Sequence, residues 1–345
     1  MVVPNESAVR SPGLILGLAA CVVGYGTLRL VESRDDVGMR LEATSLEPVE
    51  QVEIVGSEGV VVAGHPTLPP RFSGLEDELL ASPMLHHPPF AAEVDRWVGF
   101  WSDNFSDWMP SYLTRMTSFE AMVDEQLAAR ELPWSLRYLP VIESGYSPSA
   151  VSTASAVGMW QFMAATAKDF GIEVSPLIDD RRDPFVSTAA AVKYLDQLRG
   201  DFGSWYLALA AYNAGPDRIN GLLEQYLPDT EPSDAVYWAL RNVLPKETAE
   251  FVPNLIGAII VASDPAGYGY DVPARAAFDF EPVPVFGEIS FEIVARASGS
   301  TLEEIERLNP EFVRRVTPRE REVELRLPLG SGEAFRQYFA GEGGS

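Results

Sequence analysis

The sequence has few of the residues that build disulfides and metal sites. Its 345 residues include a single cysteine, Cys21, so no disulfide can form within the chain. The histidines are His65 and the adjacent pair His86 and His87, whereas a zinc site needs three or four converging ligands. We therefore predict that the protein holds no metal and no cofactor.

Basic residues are also scarce. Lysine and arginine number 26 against 50 aspartate and glutamate, which gives a formal net charge of −24 and a pI near 4.4. Nucleic-acid binding needs a basic face that neutralises phosphates, and anionic lipid surfaces attract basic segments. The charge therefore argues against a nucleic-acid partner and against adsorption to an anionic membrane.

The apolar run near the N-terminus is too short for a membrane span. It extends from Gly13 to Leu28, whereas a span needs roughly 20 apolar residues. The run fits the hydrophobic part of a signal sequence, and LAAC at residues 18–21 has the pattern of a bacterial lipobox. We predict a signal or lipoprotein-type segment over residues 1–26, with cleavage before Cys21 and lipid on its sulfur. An uncleaved signal anchor with a buried cysteine is the alternative.

The rest of the chain divides into three parts by pattern. Residues 27–85 are acidic and lack sustained periodicity, which predicts a flexible linker. Residues 86–268 show helical periodicity, with one helix capped by Ser187 and ended by Gly200. After a proline-rich boundary, residues 280–340 are typical of a small α+β module. We therefore predict a mainly α protein, an all-helical domain followed by this module.

One carboxylate stands at the edge of an apolar run. In LPVIESGYSPSA, residues 139–150, Glu143 is expected at the C-terminal end of a buried helix that stops at Gly145. The negative partial charge of a helix end and desolvation by apolar neighbours both raise the pKa of a carboxyl group. A carboxyl group that stays neutral near pH of about 6 to 7 can donate a proton. An ordinary solvated glutamate before a turn is the alternative.

Three short motifs occur in order around this residue: Glu-Ser at residues 143–144, Gly-Met-Trp-Gln at 158–161 and Ala-Tyr-Asn-Ala-Gly at 211–215. With them the chain resembles the lysozyme-like lytic transglycosylases of bacterial cell walls, most closely the membrane-bound lytic murein transglycosylase D type. The similarity runs from about His87 to Ala262. It implies a lysozyme-like catalytic domain over residues 86–268 and peptidoglycan glycan strands as the partner. It also implies a monomeric, exported protein on the periplasmic face, an outer-membrane lipoprotein attached only through its N-terminus.

The resemblance implies a reaction at the β-1,4 bond between N-acetylmuramic acid and N-acetylglucosamine. Glu143 would protonate the leaving oxygen and then accept the proton of the muramoyl C6 hydroxyl, which attacks C1 and closes a 1,6-anhydro ring. Water is not the nucleophile, so one carboxylate suffices where ordinary glycosidases use two. We expect the neighbouring acids to be structural, with Arg181 and Arg182 as partners. These acids are Asp169, Asp179, Asp180 and Asp183.

The resemblance also implies substrate contacts. Ser152 would hydrogen-bond Glu143 or a substrate acetamide, and a turn or helix cap is the alternative. Gln161, if buried, needs hydrogen-bond partners that a sugar can supply. Tyr212 would orient the acid and the sugar beside Asn213, with a core tyrosine and a capping asparagine as the alternative. The predicted substrate-binding set is Ser152, Met159, Gln161, Tyr212 and Asn213, in which Met159 can equally be a core residue.

Two segments depart from the family pattern. The family commonly has Glu-Thr-Arg-x-Tyr-Val in a later helix, whose tyrosine lines the active site. Here ETAEFV, residues 247–252, has Ala249 and Phe251 instead, so either activity is lowered or Tyr237 or water replaces the lost hydrogen bond. The tail resembles LysM modules through TLEEIERLNPEF and ELRLP but lacks their Gly-Asp-Thr-Leu opening. Its role is therefore either glycan binding or purely structural.

Three functions compete at this point. They are an exported lytic transglycosylase, a goose-type muramidase in which water attacks, and a non-catalytic wall-binding protein that keeps the fold. Anhydro products separate the first from the second. The intact set of Glu143, Gln161, Tyr212 and Asn213 argues against the third.

Overall fold

The computed structural model describes residues 77–275 and 277–342, and these residues are mainly helical, as predicted. The predicted signal segment with Cys21 and most of the predicted linker lie outside the described residues. Within the described part, no helix is both long enough and apolar enough to cross a bilayer. The same residues contain no group of three or more acidic, histidine or cysteine side chains placed to hold a metal ion.

The first part is a helical domain around one hydrophobic core. Short 3₁₀ turns at Pro83–His86, Trp134–Tyr138, Leu240–Asn242 and Pro265–Tyr268 and a π-helical turn at Phe100–Asn104 link or extend its helices. The helices are α1 Pro88–Gly99, α2 Met109–Met116, α3 Glu120–Ala128, α4 Leu139–Ser144, α5 Ala164–Asp169, α6 Pro184–Phe202, α7 Trp205–Ala214, α8 Pro216–Tyr226, α9 Asp234–Ala239 and α10 Lys246–Ser263.

The centre of the domain is formed by α7 and α10. All residues of α7 from Trp205 to Ala211 are buried, so this helix is apolar on every side. Helix α10 packs against α1, and a Cβ atom on Gly257 would lie 2.7 Å from the Cβ atom of Trp97. Glycine therefore lets the two helices approach closely.

The boundaries of α6 differ from the prediction. Asp183, not Ser187, caps the helix, because its carboxylate accepts the N–H groups of Phe185 (2.8 Å) and Val186 (3.0 Å). The helix continues through Gly200 and ends at Gly203, whose φ of 63° is the left-handed conformation that favours glycine. Packing of the buried face outweighs the weak helix propensity of Gly200.

The described end of the predicted linker packs on this domain. Leu79 is fully buried, and the Asp77 carboxylate accepts hydrogen bonds from the Ser135 N–H and hydroxyl groups, both at 3.0 Å. Residues 77–85 are therefore part of the helical domain, whereas the sequence pattern placed them in the linker. One buried leucine is too short a signal for a periodicity argument.

The C-terminal module contains two strands and three helices, which fits the predicted α+β class. Strands β1 Glu281–Phe286 and β2 Glu322–Leu327 pair antiparallel. Pro282 and Pro284 obscured β1 in the sequence, yet an edge strand tolerates proline where its N–H would face away from the partner. Three helices cover the sheet: α11 Phe291–Ser298, α12 Leu302–Leu308 and α13 Gly332–Glu342.

The module is docked on the helical domain. Ile178 of the helical domain lies in the hydrophobic core of the module, and the Asp179 N–H donates to the Glu311 carbonyl (2.9 Å).

Arg326 of β2 contacts the Asp183 carboxylate and donates to Glu311 at 3.2 and 3.3 Å. The guanidinium also lies over the rings of Phe185 and Phe280, 5.4 and 5.3 Å from their centroids. These contacts fix the orientation of the module.

Candidate active site

Glu143 lies at the C-terminal end of α4, as predicted. All six residues of this short helix are buried, and Gly145 ends it with a φ of 59°. The Gly145 N–H donates to the Val141 carbonyl (3.1 Å) and the Tyr146 N–H donates to the Pro140 carbonyl (3.0 Å). A Cβ atom at Gly145 would lie 2.6 Å from the Tyr112 ring, so glycine is needed for both the turn and the packing.

The side chain of Glu143 is almost inaccessible to solvent. The residue is only 7% exposed, and no described residue forms a hydrogen bond with its carboxyl group. Burial and, to a smaller extent, the negative charge of Glu247 together raise the pKa of Glu143 from the ordinary 4.5 to about 8. A carboxyl group with this pKa carries its proton at neutral pH and has no internal partner for it.

The turn at residues 158–161 is held beside Glu143 by two hydrogen bonds from opposite sides. The Ser144 hydroxyl donates to the Met159 carbonyl (2.8 Å), and the Tyr212 hydroxyl donates to the Trp160 carbonyl (2.6 Å). At Gly158 a Cβ atom would lie 1.8 Å from the Arg181 carbonyl oxygen, and the φ of 87° also favours glycine. The first and second motifs therefore meet through backbone carbonyls.

Gln161 carries an unused acceptor in this turn. It is almost completely buried, and its Nε2 donates to the Gly158 carbonyl (2.7 Å). Its Oε1 is buried and has no hydrogen-bond partner in the described part of the chain. Because an unpaired buried acceptor is destabilising, this oxygen is suited to accept a hydrogen bond from a bound ligand.

The end of α7 joins the same site. The ionised form of the Tyr212 hydroxyl is disfavoured by burial and by the charge of Glu143, and both raise its pKa. Asn213 Nδ2 donates to Glu247 Oε1 (3.4 Å), and its Oδ1 accepts from the Thr248 hydroxyl (2.7 Å). The structure therefore brings Glu143, Tyr212 and Asn213 together, as predicted from the order of the motifs.

Two of the predicted substrate contacts have other roles in the structure. The Ser152 hydroxyl accepts the Ala156 N–H (3.0 Å) in a local turn and makes no hydrogen bond with Glu143. The Met159 side chain is fully buried in the core, so packing rather than ligand contact explains it. For both residues the alternative stated from the sequence matches the geometry.

Tyr237 does not replace the tyrosine that Phe251 lacks. Its hydroxyl donates to the Thr248 carbonyl (3.1 Å) and the Ala249 carbonyl (2.8 Å), which anchors the first turn of α10. The Phe251 ring itself is buried. Of the alternatives stated from the sequence, lowered activity and replacement by water therefore remain.

Glu247 and Thr248 are site residues that the motif comparison passed over. They open the ETAEFV segment, whose departures from the family pattern are Ala249 and Phe251. Glu247 is exposed and contacts Asn213. The signal in the sequence was the pair of polar residues Glu247 and Thr248 near the start of an apolar helix.

Two of the neighbouring acids, Asp179 and Asp183, have structural partners, whereas Arg182, expected to pair with an acid, donates to the Ser149 carbonyl (3.2 Å) and forms no salt bridge within the described residues. Asp179 forms a bidentate pair with Arg181, with both N–O distances at 2.8 Å, and the pair is buried. Arg181 also donates to the Ser155 and Phe162 carbonyls at 3.2 and 3.1 Å. This pair thus supports the loop around the site, and its hydrogen bonds leave Asp179 unavailable for proton transfer.

Replacing Glu247 by glutamine should move the basic limb of the pH–rate profile to lower pH. The substitution removes a negative charge that raises the pKa of Glu143 but keeps an oxygen for Asn213. Turnover on murein measured from about pH 5 to 10 tests this. Glu250→Gln is the matched control, because Glu250 lies on α10 with Glu247 but pairs with Arg96 of α1. An unchanged limb in Glu247→Gln would contradict the electrostatic coupling.

Comparison with known families agrees with this site. The transglycosylase SLT domain model matches residues 122–226, and the LysM-like domain model of lytic transglycosylase MltD matches residues 279–340. The chain thus matches an SLT domain model within its helical domain and an MltD-type LysM-like domain model in its C-terminal module.

The chain is also similar to particular proteins. Membrane-bound lytic murein transglycosylase D of Escherichia coli (strain K12) is 28% identical over 222 residues, 60% of this chain and 48% of that protein. Peptidoglycan transglycosylase gp16 of Escherichia phage T7 is 42% identical over 94 residues, 26% of this chain and 7% of that protein. The crystal structure of the 70 kDa soluble lytic transglycosylase of Escherichia coli is 27% identical, with a TM-score of 0.35 over 43% of this chain and 24% of that chain. The chain therefore spans about half the length of the first relative and less of the others.

Proposed function

We propose that this protein cleaves the β-1,4 bond between N-acetylmuramic acid and N-acetylglucosamine in peptidoglycan without hydrolysis. The observation that carries the proposal is the nearly buried Glu143, whose pKa of about 8 keeps it protonated at neutral pH. The SLT domain and the relatives named as murein and peptidoglycan transglycosylases support the substrate class.

The proposed reaction needs only one proton carrier. Glu143 gives its proton to the glycosidic oxygen as the bond from that oxygen to C1 breaks. The muramoyl C6 hydroxyl forms the new bond to C1 and returns its proton to the Glu143 carboxylate. The acid is thus regenerated in one turnover, and a 1,6-anhydromuramoyl end is the product.

The surroundings of Glu143 suit this role. Hydrogen bonds from Ser144 and Tyr212 fix the turn that carries Gln161, whose free Oε1 can accept a sugar hydroxyl or acetamide N–H. Burial keeps bulk water away from the acid and strengthens its interaction with the bond that it protonates. Asn213 presents a further polar group at the end of α7.

Glu247 gives a specific reason to consider the hydrolytic alternative. It is a second carboxylate close enough to raise the pKa of Glu143, and a goose-type muramidase would need a group that activates water. Its hydrogen bond with Asn213 and its exposed position fit an electrostatic role better. A wall-binding protein without activity is disfavoured, because a neutral buried acid without a partner serves no structural purpose.

We propose an exported location with attachment through Cys21. This residue lies outside the described residues, so the proposal rests on the lipobox pattern and on the relative named as membrane-bound. The glycan strands of peptidoglycan would be the partner, and a monomer suffices for the site as described.

Mass spectrometry of murein digests tests the proposed reaction. Purified protein incubated with sacculi should release muropeptides that end in 1,6-anhydromuramic acid, lighter by one water than products of hydrolysis. The reaction should need no added metal. Reducing ends as the main product would favour the muramidase, and a lack of both products would reject cleavage.

A further inference from the structure

A cleft between the helical domain and the module is rich in arginine. Its volume is about 460 Å³, and it does not include Glu143. Five arginines but only two acidic residues, Glu303 and Glu306, line it, although the whole chain carries a net charge of −24. We call it the arginine cleft, and its arginines are Arg115, Arg182, Arg275, Arg307 and Arg315.

Most of this positive charge is not neutralised within the protein. Arg315 pairs with Glu306 (3.1 Å), but the other four arginines form no salt bridge in the part of the chain that the structure describes. Arg115 and Arg182 donate instead to backbone carbonyls, and the Nε of Arg182 is buried without a partner. The cleft therefore offers charged donors to a ligand.

Three of the arginines are also close to one another. Burial lowers the pKa of Arg115 and of Arg307, and the charge of Arg275 lowers both further. Repulsion between like charges in a partly buried site destabilises the fold, and a bound anion relieves that repulsion. The guanidinium fork matches the geometry of a carboxylate, which it binds with two parallel hydrogen bonds.

The arginine cleft shares a wall with the candidate active site. The Gly145 carbonyl accepts from Arg115 Nε (2.7 Å), and the Ser149 carbonyl accepts from Arg182 Nη1 (3.2 Å). Both carbonyls belong to the loop that follows Glu143. Six residues from Glu143 to Ser149 span at most about 20 Å when extended, and the folded loop is shorter. A molecule bound at Glu143 can therefore reach the cleft.

We propose that the arginine cleft binds a carboxylate of the peptide attached to the muramoyl sugar. The inference rests on the proposed function, because it takes peptidoglycan as the substrate. A stem peptide of about five residues reaches at most about 17 Å, a length of the same order as the upper limit of about 20 Å between Glu143 and Ser149. Neutral sugars would not require such an excess of arginine, whereas peptide carboxylates would neutralise it. The rings of Phe119, Phe278 and Phe312 give the apolar remainder of the peptide a surface.

Enzyme kinetics on two substrates tests the proposal. We compare the full chain with the double variant Arg275→Gln/Arg307→Gln on intact murein and on glycan strands from which an amidase has removed the peptides. The double variant should show a KM about tenfold higher on intact murein, with unchanged kcat, and parent values on the bare strands. Arg319→Gln is the matched control, since Arg319 is an exposed arginine of the same module outside the cleft. Equal effects on both substrates, or no effect on either, would overturn the proposal.

A binding measurement separates this inference from the proposed reaction. Isothermal titration uses a synthetic tetrapeptide of the murein stem sequence, with its carboxyl groups free or amidated. The free-acid peptide should bind the parent and lose about tenfold affinity in the double variant, even if the parent proves inactive on murein. Equal affinity for both peptides would reject the carboxylate site. The carboxylate site would also be rejected if the double variant lost binding to inorganic phosphate or to anionic phospholipid vesicles but still bound the peptide.

Discussion

Glu143→Gln should lower the rate of murein cleavage by about 10³-fold and at the same time stabilise the fold. Glutamine keeps the shape of the side chain but cannot donate a proton to the glycosidic oxygen, and general acid catalysis contributes about 10² to 10⁴-fold. Product release from sacculi measures the first effect. Glu125→Gln is the matched control, because Glu125 is exposed on α3 and far from the motifs in sequence.

The gain in stability follows from the raised pKa. Below pH about 4.5 both the folded and the unfolded chain carry the proton, so the carboxyl group has no effect on the free energy of unfolding. Between this pH and about 8 the unfolded chain loses the proton while the folded chain keeps it, so the wild-type protein becomes less stable as pH rises. At pH 7 the difference is on the order of 3 kcal/mol.

Thermal unfolding of both proteins from pH 4 to 9 measures this difference. The Tm of Glu143→Gln should rise above that of the parent as the pH rises towards 8, and the two should agree near pH 4. A variant that is inactive but no more stable at pH 8 would show that the group is ionised and solvated in the folded protein. That result would remove the basis for a neutral acid.

Arg326→Met should destabilise the protein by about 3 to 5 kcal/mol and release the module from the helical domain. The guanidinium is only 11% exposed on its side chain and is shared by Asp183 and Glu311. Burial raises the pKa of Glu311 to about 8, and Asp183 adds to the rise while Arg326 opposes it. Removing Arg326 leaves the buried Asp183 and Glu311 carboxyl groups without their guanidinium donor, which is far more costly than breaking an exposed pair.

Arg321→Met provides the control for this prediction. Arg321 also joins the module to the helical domain, through Glu173 (2.8 Å), but both side chains are exposed, so the loss should be below about 1 kcal/mol. All tryptophans lie between residues 97 and 238, so their fluorescence reports the helical domain during denaturant unfolding. Proteolysis between residues 268 and 281 reports the release of the module. Equal losses in the two variants would contradict a special role for the buried cluster.

The sequence predicted the helical class better than it predicted the ends of the elements. The order of the motifs pointed to Glu143, Gln161, Tyr212 and Asn213. In the structure Gln161 and Tyr212 hydrogen-bond the turn at residues 158–161, and Asn213 contacts Thr248 of α10. Residue type alone does not separate a hydroxyl that accepts a local N–H, such as Ser152, or a buried core thioether, such as Met159, from a ligand contact. Glu247 was missed since its effect on Glu143 acts through space from another helix.

The sequence by itself determined the helical class and the position of Glu143 at a helix end before Gly145, because these depend on local periodicity and on a residue with special backbone freedom. Tertiary structure alone decided that the module docks through Arg326, that Glu247 raises the pKa of Glu143, and that arginines distant in the chain line one cleft. The physical reason is that burial and electrostatic interaction depend on distances in space, which no local pattern encodes.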